Sequence, residues 1–128
     1  EGKVPSLPLW LTPVQVRIVR VSDDFTQRAR DILSEIEGAN VRVDLDDRPE
    51  SISKRIRDAE VNWIPYIIVI GEKEMKTNLL NVRKRETGEQ KTMPVHELIE
   101  EVTDRTKGYP KMTLKMPPLL SQRPVYKL

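Results

Sequence analysis

Tyr66-Ile67-Ile68-Val69-Ile70 is an unbroken run of β-branched and aromatic residues, closed by Gly71. It has strand length, and its lack of polar alternation predicts a central strand buried on both faces. Upstream, Ser51 opens a helical stretch with Ile52, Ile56 and Ala59 inward and Lys54, Arg55 and Arg57 at polar positions. Before that, Val41, Val43 and Leu45 alternate with Arg42, Asp44 and Asp46, the pattern of a second strand. An earlier helix has cap and first-turn residues in Ser22, Asp23 and Asp24. Its apolar stripe is Phe25, Ala29, Ile32, Leu33 and Ile36, and Gly38 is expected to close it in the left-handed region. Val14, Val16, Ile18 and Val21 alternate with Gln15, Arg17 and Arg20, which predicts a first strand with one buried face.

Downstream of the central run, Leu80 to Arg85 reads as a strand, Gly88 as a turn, and Gln90 to Met93 as a short return strand. A last helix begins near Pro94, with Val95, Leu98, Ile99 and Val102 on one face. Strands joined through helices run parallel and the hairpin runs antiparallel, so the fold class is α/β with a mixed sheet. The 128 residues suit one domain. We expect an extended linker over 1–13, which carries Pro5, Pro8 and Pro13, the α/β domain over 14–106, and a basic Pro-rich tail over 107–128 packed on it. The absence of an initial Met suggests a piece of a longer protein.

The chemistry available is that of a binder. With no cysteine, disulfides and thiolate catalysis are excluded, and a cytoplasmic setting is favoured. No apolar run reaches the roughly 18 residues of a membrane helix, so no membrane partner is expected. The five glycines are scattered, so no phosphate-cradling loop can be built. Asp44, Asp46 and Asp47 could in principle hold a metal, but carboxylates before a basic helix have a simpler use at its N-terminus. His96 has no nucleophile beside it, and no catalytic pair is suggested.

Charge is distributed unevenly. Between Arg105 and Leu128 there are six basic residues and no acid, which points to an anionic partner or a solvated tail. A second basic grouping joins the helix of Lys54, Arg55 and Arg57, the loop carrying Glu74, and the strand from which Asn81, Arg83 and Arg85 project on one face. Such a face could meet unstacked RNA bases, or it could be a salt-bridged outer surface.

Leu9-Trp10-Leu11-Thr12-Pro13-Val14-Gln15-Val16 resembles the WLxPxQV signature that opens the C-terminal anticodon-binding domain of threonyl-tRNA synthetases. The likeness continues, in order, through 41–48, 54–59, 64–74 and 80–85, and Leu120-Ser121-Gln122-Arg123-Pro124 resembles the ending of the archaeal branch. The resemblance implies a three-layer fold, a mixed five-stranded sheet flanked by three helices. It also implies recognition of the tRNA-Thr anticodon loop at its second and third bases, G and U. By position, Arg57, Glu74 and Arg83 match the family's base-recognising residues. One departure is Pro49, which stands where bacterial members carry an Asn and leaves Arg48 as the candidate contact there. Lys54, Arg55, Arg85 and Arg123 are expected to address phosphate.

No cofactor is expected in this chain. The resemblance places ATP and Mg²⁺, with Zn²⁺, in the catalytic domain of the parent synthetase, a homodimer through that domain. Alternatives are the anticodon-binding domain of another class IIa synthetase, an accessory protein that kept the fold for protein contacts, and, more remotely, a small-molecule-binding α/β domain.

Overall fold

The computed structural model describes residues 8–112, 114 and 116–123. The Pro5 segment and the tail cations Lys115 and Lys127 lie outside the described residues. The elements are β1 (Val16–Arg20), α1 (Thr26–Glu37), β2 (Val43–Asp46), α2 (Ile52–Val61), β3 (Tyr66–Ile70), α3 (Glu72–Lys76), β4 (Leu79–Lys84), β5 (Gln90–Pro94) and α4 (Val95–Arg105). The sheet order is β2-β1-β3-β4-β5, with β1 parallel to β2 and β3, and antiparallel pairing from β3 through β5. This is the mixed five-stranded α/β sheet expected, with α1, α2 and α4 as its flanking helices. The loop expected after β3 contains an additional short helix, α3.

The central strand is almost fully buried, as its run of apolar residues requires. One face of the sheet gives Val16, Ile18, Tyr66, Ile68, Leu80 and Val82 to the larger core, which α1 and α4 close with Ile32, Ile36, Leu98 and Val102. On the opposite face α2 covers Val19 and Ile67 with Ala59, Ile52 and Ile56. Full burial of one such Leu, Ile or Val side chain contributes about 1.5–3 kcal/mol, so these two layers dominate the stability.

Three local expectations are corrected. β1 is buried along its whole length, not on one face, because Arg17 and Arg20 are interior. Arg17 donates to both oxygens of Asp44 at 2.9 Å, and this pairing makes an interior guanidinium tolerable. Gly38 remains right-handed at φ −61°, and the left-handed residue is Asn40 at φ 63°. Asn is the residue that accepts that conformation most readily after glycine. The opening segment is also not simply extended, since Leu9–Leu11 forms a 3-10 turn with Leu9 buried.

Arg42 fastens this opening segment to the sheet. Its guanidinium donates to the carbonyls of Thr12, Trp10 and Met112 at 2.7–3.0 Å, while burial lowers its pKa from the ordinary arginine value. The described part of the tail lies along β2: Leu45 N–H donates to Pro118 O at 2.8 Å, and Leu119 is buried. A sheet edge covered in this way is no longer open for pairing with another chain.

Candidate nucleic-acid interface

Because β-strand side chains alternate, residues opposite one another across a ladder share a face. Asn81 pairs with Val69 and Thr92, and Arg83 with Ile67 and Gln90. All of them therefore face the side that α2 covers. α2 lies over β1 and β3, leaving Asn81, Arg83, Gln90 and Thr92 as a polar strip beyond its edge. Gln90 and Thr92 are exposed, and Asn81 and Arg83 are half-buried. A groove of about 340 Å³ runs between the end of α2 and this hairpin, lined by Glu60, Arg83, Arg85, Gly88 and Gln90 among others.

The Arg83 side chain forms no hydrogen bond or ion pair with the described residues, and its Nε is shielded from solvent without a partner. Asn81 Oδ1, two residues earlier on the same face, is in the same condition. Buried polar atoms are nearly always paired, and these two neighbours lie where a water or a ligand atom would complete their bonding.

The other candidates divide sharply. Arg57 is exposed on α2 with no described partner, which suits a contact to RNA. Glu74 is half-buried, and its Oε1 accepts from Gly71 N at 2.7 Å, so one carboxylate oxygen is committed to holding the start of α3. No hydrogen bond or ion pair joins the side chains of Arg57, Glu74 and Arg83. Arg48 donates from Nε and Nη2 to the two oxygens of Asp46, and from Nη2 to Asp58 at 3.0 Å. The hydrogen bond that Arg48 donates to Asp46 leads in raising the Arg48 pKa above the usual arginine value. Arg48 thus ties the end of β2 to α2, and only Nη1 is left for a base. Pro49 sits in a tight turn closed by Glu50 N–H on Arg48 O at 2.8 Å, a conformation its ring favours.

One expected phosphate contact is corrected. Arg55 is only 3% exposed and donates to the carbonyls of Asp46 and Glu50, and burial leads in lowering its pKa. Arg123 is held by Pro117 O at 2.8 Å and by Asp44 at 3.0 Å. The period of α2 places position 55 inward between Ile52 and Ala59, and a charge there survives by capping carbonyls. Lys54 is half-exposed and paired with Asp58 at 3.1 Å. Burial acts against the Asp58 charge, but hydrogen bonds from Lys54 and Arg48 hold its pKa below the ordinary carboxylate value. Arg85 donates to Glu60 O at 3.1 Å and lies over the Trp63 ring, 5.5 Å from its centroid.

These positions separate two substitutions. Arg55→Ala should lower the melting temperature and leave the salt dependence of RNA binding unchanged. Lys54→Ala should reduce the slope of log K against log salt by roughly one counterion's worth, about 0.7–0.9. Thermal melts and a salt titration of both variants check this, and a salt effect from Arg55→Ala would contradict its interior assignment.

Asp44 and Asp46 are bound by arginines and Asp47 by Ser121, and no group of three metal-ligating side chains occurs among the described residues. No helix among them is long and apolar enough to cross a membrane.

The model of the anticodon binding domain matches residues 15–105, from β1 through α4. The chain belongs to the anticodon-binding domain family. Among relatives of this anticodon-binding domain, the threonine–tRNA ligase of Staphylothermus marinus is 50% identical over 125 residues, 98% of this chain and 20% of the ligase. Those of Pyrococcus furiosus and Pyrobaculum calidifontis are 49% and 52% identical over 99% and 97% of the chain, again 20% of each ligase. The chain therefore spans about a fifth of the length of these relatives. The crystal structure of the RNA binding domain of threonyl-tRNA synthetase from Cryptosporidium parvum Iowa II superposes with a TM-score of 0.74 at 27% identity. That superposition covers 82% of this anticodon-binding domain and 26% of the other chain.

Sequence reading missed Gln90 and Thr92. The hairpin turn at Gly88, with its φ of +72°, sets the register that would have paired them with Arg83 and Asn81. It also missed Trp63, an exposed aromatic after α2 that periodicity leaves unassigned.

Proposed function

We propose that this domain reads the anticodon loop of tRNA-Thr, as the C-terminal module of a cytoplasmic threonyl-tRNA synthetase. In that parent, a catalytic domain outside this chain ligates threonine to the tRNA with ATP and Mg²⁺, holds Zn²⁺, and forms the homodimer contacts. What carries the reading is the polar strip around the unpaired Arg83, on a domain related along nearly its whole length to threonine–tRNA ligases. Arg83 and Arg57 donate to base edges, and Glu74 accepts from guanine through the oxygen not used by Gly71. Arg48 contributes through Nη1, while Lys54 and Arg85 address phosphate.

The division follows from how RNA is read. Guanidinium and amide groups on a sheet face reach the edges of unstacked bases, whereas cations at the rim supply affinity without sequence preference. Binding of the tRNA-Thr anticodon stem-loop, beside loops altered at the second or third anticodon base, tests this directly. A preference of about ten-fold or more for the unaltered loop is expected. Equal binding to every loop would leave a domain with no amino-acid identity, and a preference for another anticodon would indicate another class IIa synthetase.

A further inference from the structure

Helix α2 ends in a Schellman arrangement: Trp63 N–H donates to Glu60 O and Ile64 N–H donates to Ala59 O, both at 3.1 Å. The residue after the C-cap of such a motif takes the left-handed conformation, and glycine is the usual occupant. Here it is a tryptophan at φ +60°. A bulky residue in that region is an outlier that costs stability, and such strain persists mainly where function needs it. Tryptophan does not recover the cost by burial, since 43% of it remains exposed. Its neighbour Val61 is exposed as well, at 68%.

The ring is nevertheless positioned. Arg85 lies over it, and Arg85 is anchored to Glu60 O, the same carbonyl that receives Trp63 N–H. Arg85 also lines the groove that contains Arg83 and Gln90. Trp63 itself lines the adjoining pocket, with Lys84, Arg85, Glu86, Glu89 and Arg105 around it, and Lys84 and Arg85 continue from there into the groove of Arg83. An oriented, exposed aromatic thus shares two cations with that groove, and single-stranded nucleic acid binds by stacking a base on such a ring and passing its backbone along such cations.

Resting on the anticodon-loop reading above, we propose that Trp63 is a stacking platform for one unpaired base of that loop, with Arg85 holding the ring in place. The occupant is a nucleobase, whose flat π-face matches an exposed indole and whose phosphates match the cations of the groove. An apolar protein surface seated on Val61 and Trp63 is the competing occupant.

Trp63→Gly makes the test unusually clean. Glycine suits the left-handed position, so the variant should melt at or above the wild-type temperature, while binding of the tRNA-Thr anticodon stem-loop should weaken by about ten-fold or more. Trp63→Phe should recover part of that loss. Independently, a Trp10→Phe protein leaves Trp63 as the sole indole of the two in the sequence. Its emission should be quenched by the stem-loop, and an abasic nucleotide at the stacked position should abolish the quenching. Wild-type affinity in Trp63→Gly, or unquenched emission in a Trp10→Phe protein that binds, overturns the platform and favours a protein surface there. Failure of the wild-type chain to bind the stem-loop would overturn the anticodon reading, and the platform with it.

Discussion

Replacing Asp44 with alanine is expected to destabilise the domain by about 3–5 kcal/mol, the usual cost of removing one partner from a buried ion pair. The carboxylate is fully buried in β2 and receives Arg17 through two hydrogen bonds and Arg123 through a third at 3.0 Å. Without it, the Arg17 guanidinium stays in the interior with its charge uncompensated, and its Nη1 already lacks a partner. Arg123 loses its tie at the same time, so the tail loosens from the edge of the sheet. Small domains have total stabilities of about 5–15 kcal/mol, so this single change removes a large part of the margin. Urea unfolding of Asp44→Ala beside Asp47→Ala measures it. Among the described residues the Asp47 carboxylate bonds only the exposed Ser121, and the Asp47 carbonyl that accepts from Arg20 survives the substitution, so its loss should be minor. A similar small loss in both variants would mean that solvent reaches Arg17.

Much of the architecture was legible because it rests on period and order. The run Tyr66 to Ile70 has the length and composition of a two-sided central strand, and the stripe through Ile32, Leu33 and Ile36 has the period of a helix packed against a core. What periodicity could not show was where charges turn inward. Arg17, Arg42 and Arg55 look like surface cations in a local pattern. Each is interior because a partner distant in sequence, Asp44, the carbonyls of Thr12 and Trp10, or the carbonyl of Asp46, satisfies it. The phosphate assignment of Arg55 failed for this reason. Trp63 escaped for the opposite reason: its meaning lies in a backbone angle, and a sequence pattern carries no angle. Asn40 likewise took the left-handed position that local rules give to Gly38.

Arg83 presents the converse case, a guanidinium within the fold that the fold does not satisfy. Arg17, Arg20, Arg48, Arg105 and Arg123 all engage carboxylates. Arg83 engages none, although it sits on a rigid central ladder between β3 and β5. Shielding an unpaired polar atom costs about 1–3 kcal/mol, and a ligand that supplies the missing acceptor recovers it. Arg83→Ala should therefore leave stability nearly unchanged or slightly improved. Its effect should fall on discrimination: cognate stem-loop binding weakens by about 1–3 kcal/mol, while binding of a loop altered at the contacted base hardly changes. The signature is the difference between the two losses, read from binding curves at one fixed salt concentration, because total affinity alone also reports phosphate contacts. Equal losses on cognate and altered loops would reduce Arg83 to a phosphate contact. A large fall in melting temperature would show instead that the fold, and not the RNA, depends on it. Gln90, directly opposite on β5, supplies the internal check. If both side chains grip one base, the double variant loses less discrimination than the sum of the two single losses, as contacting residues do.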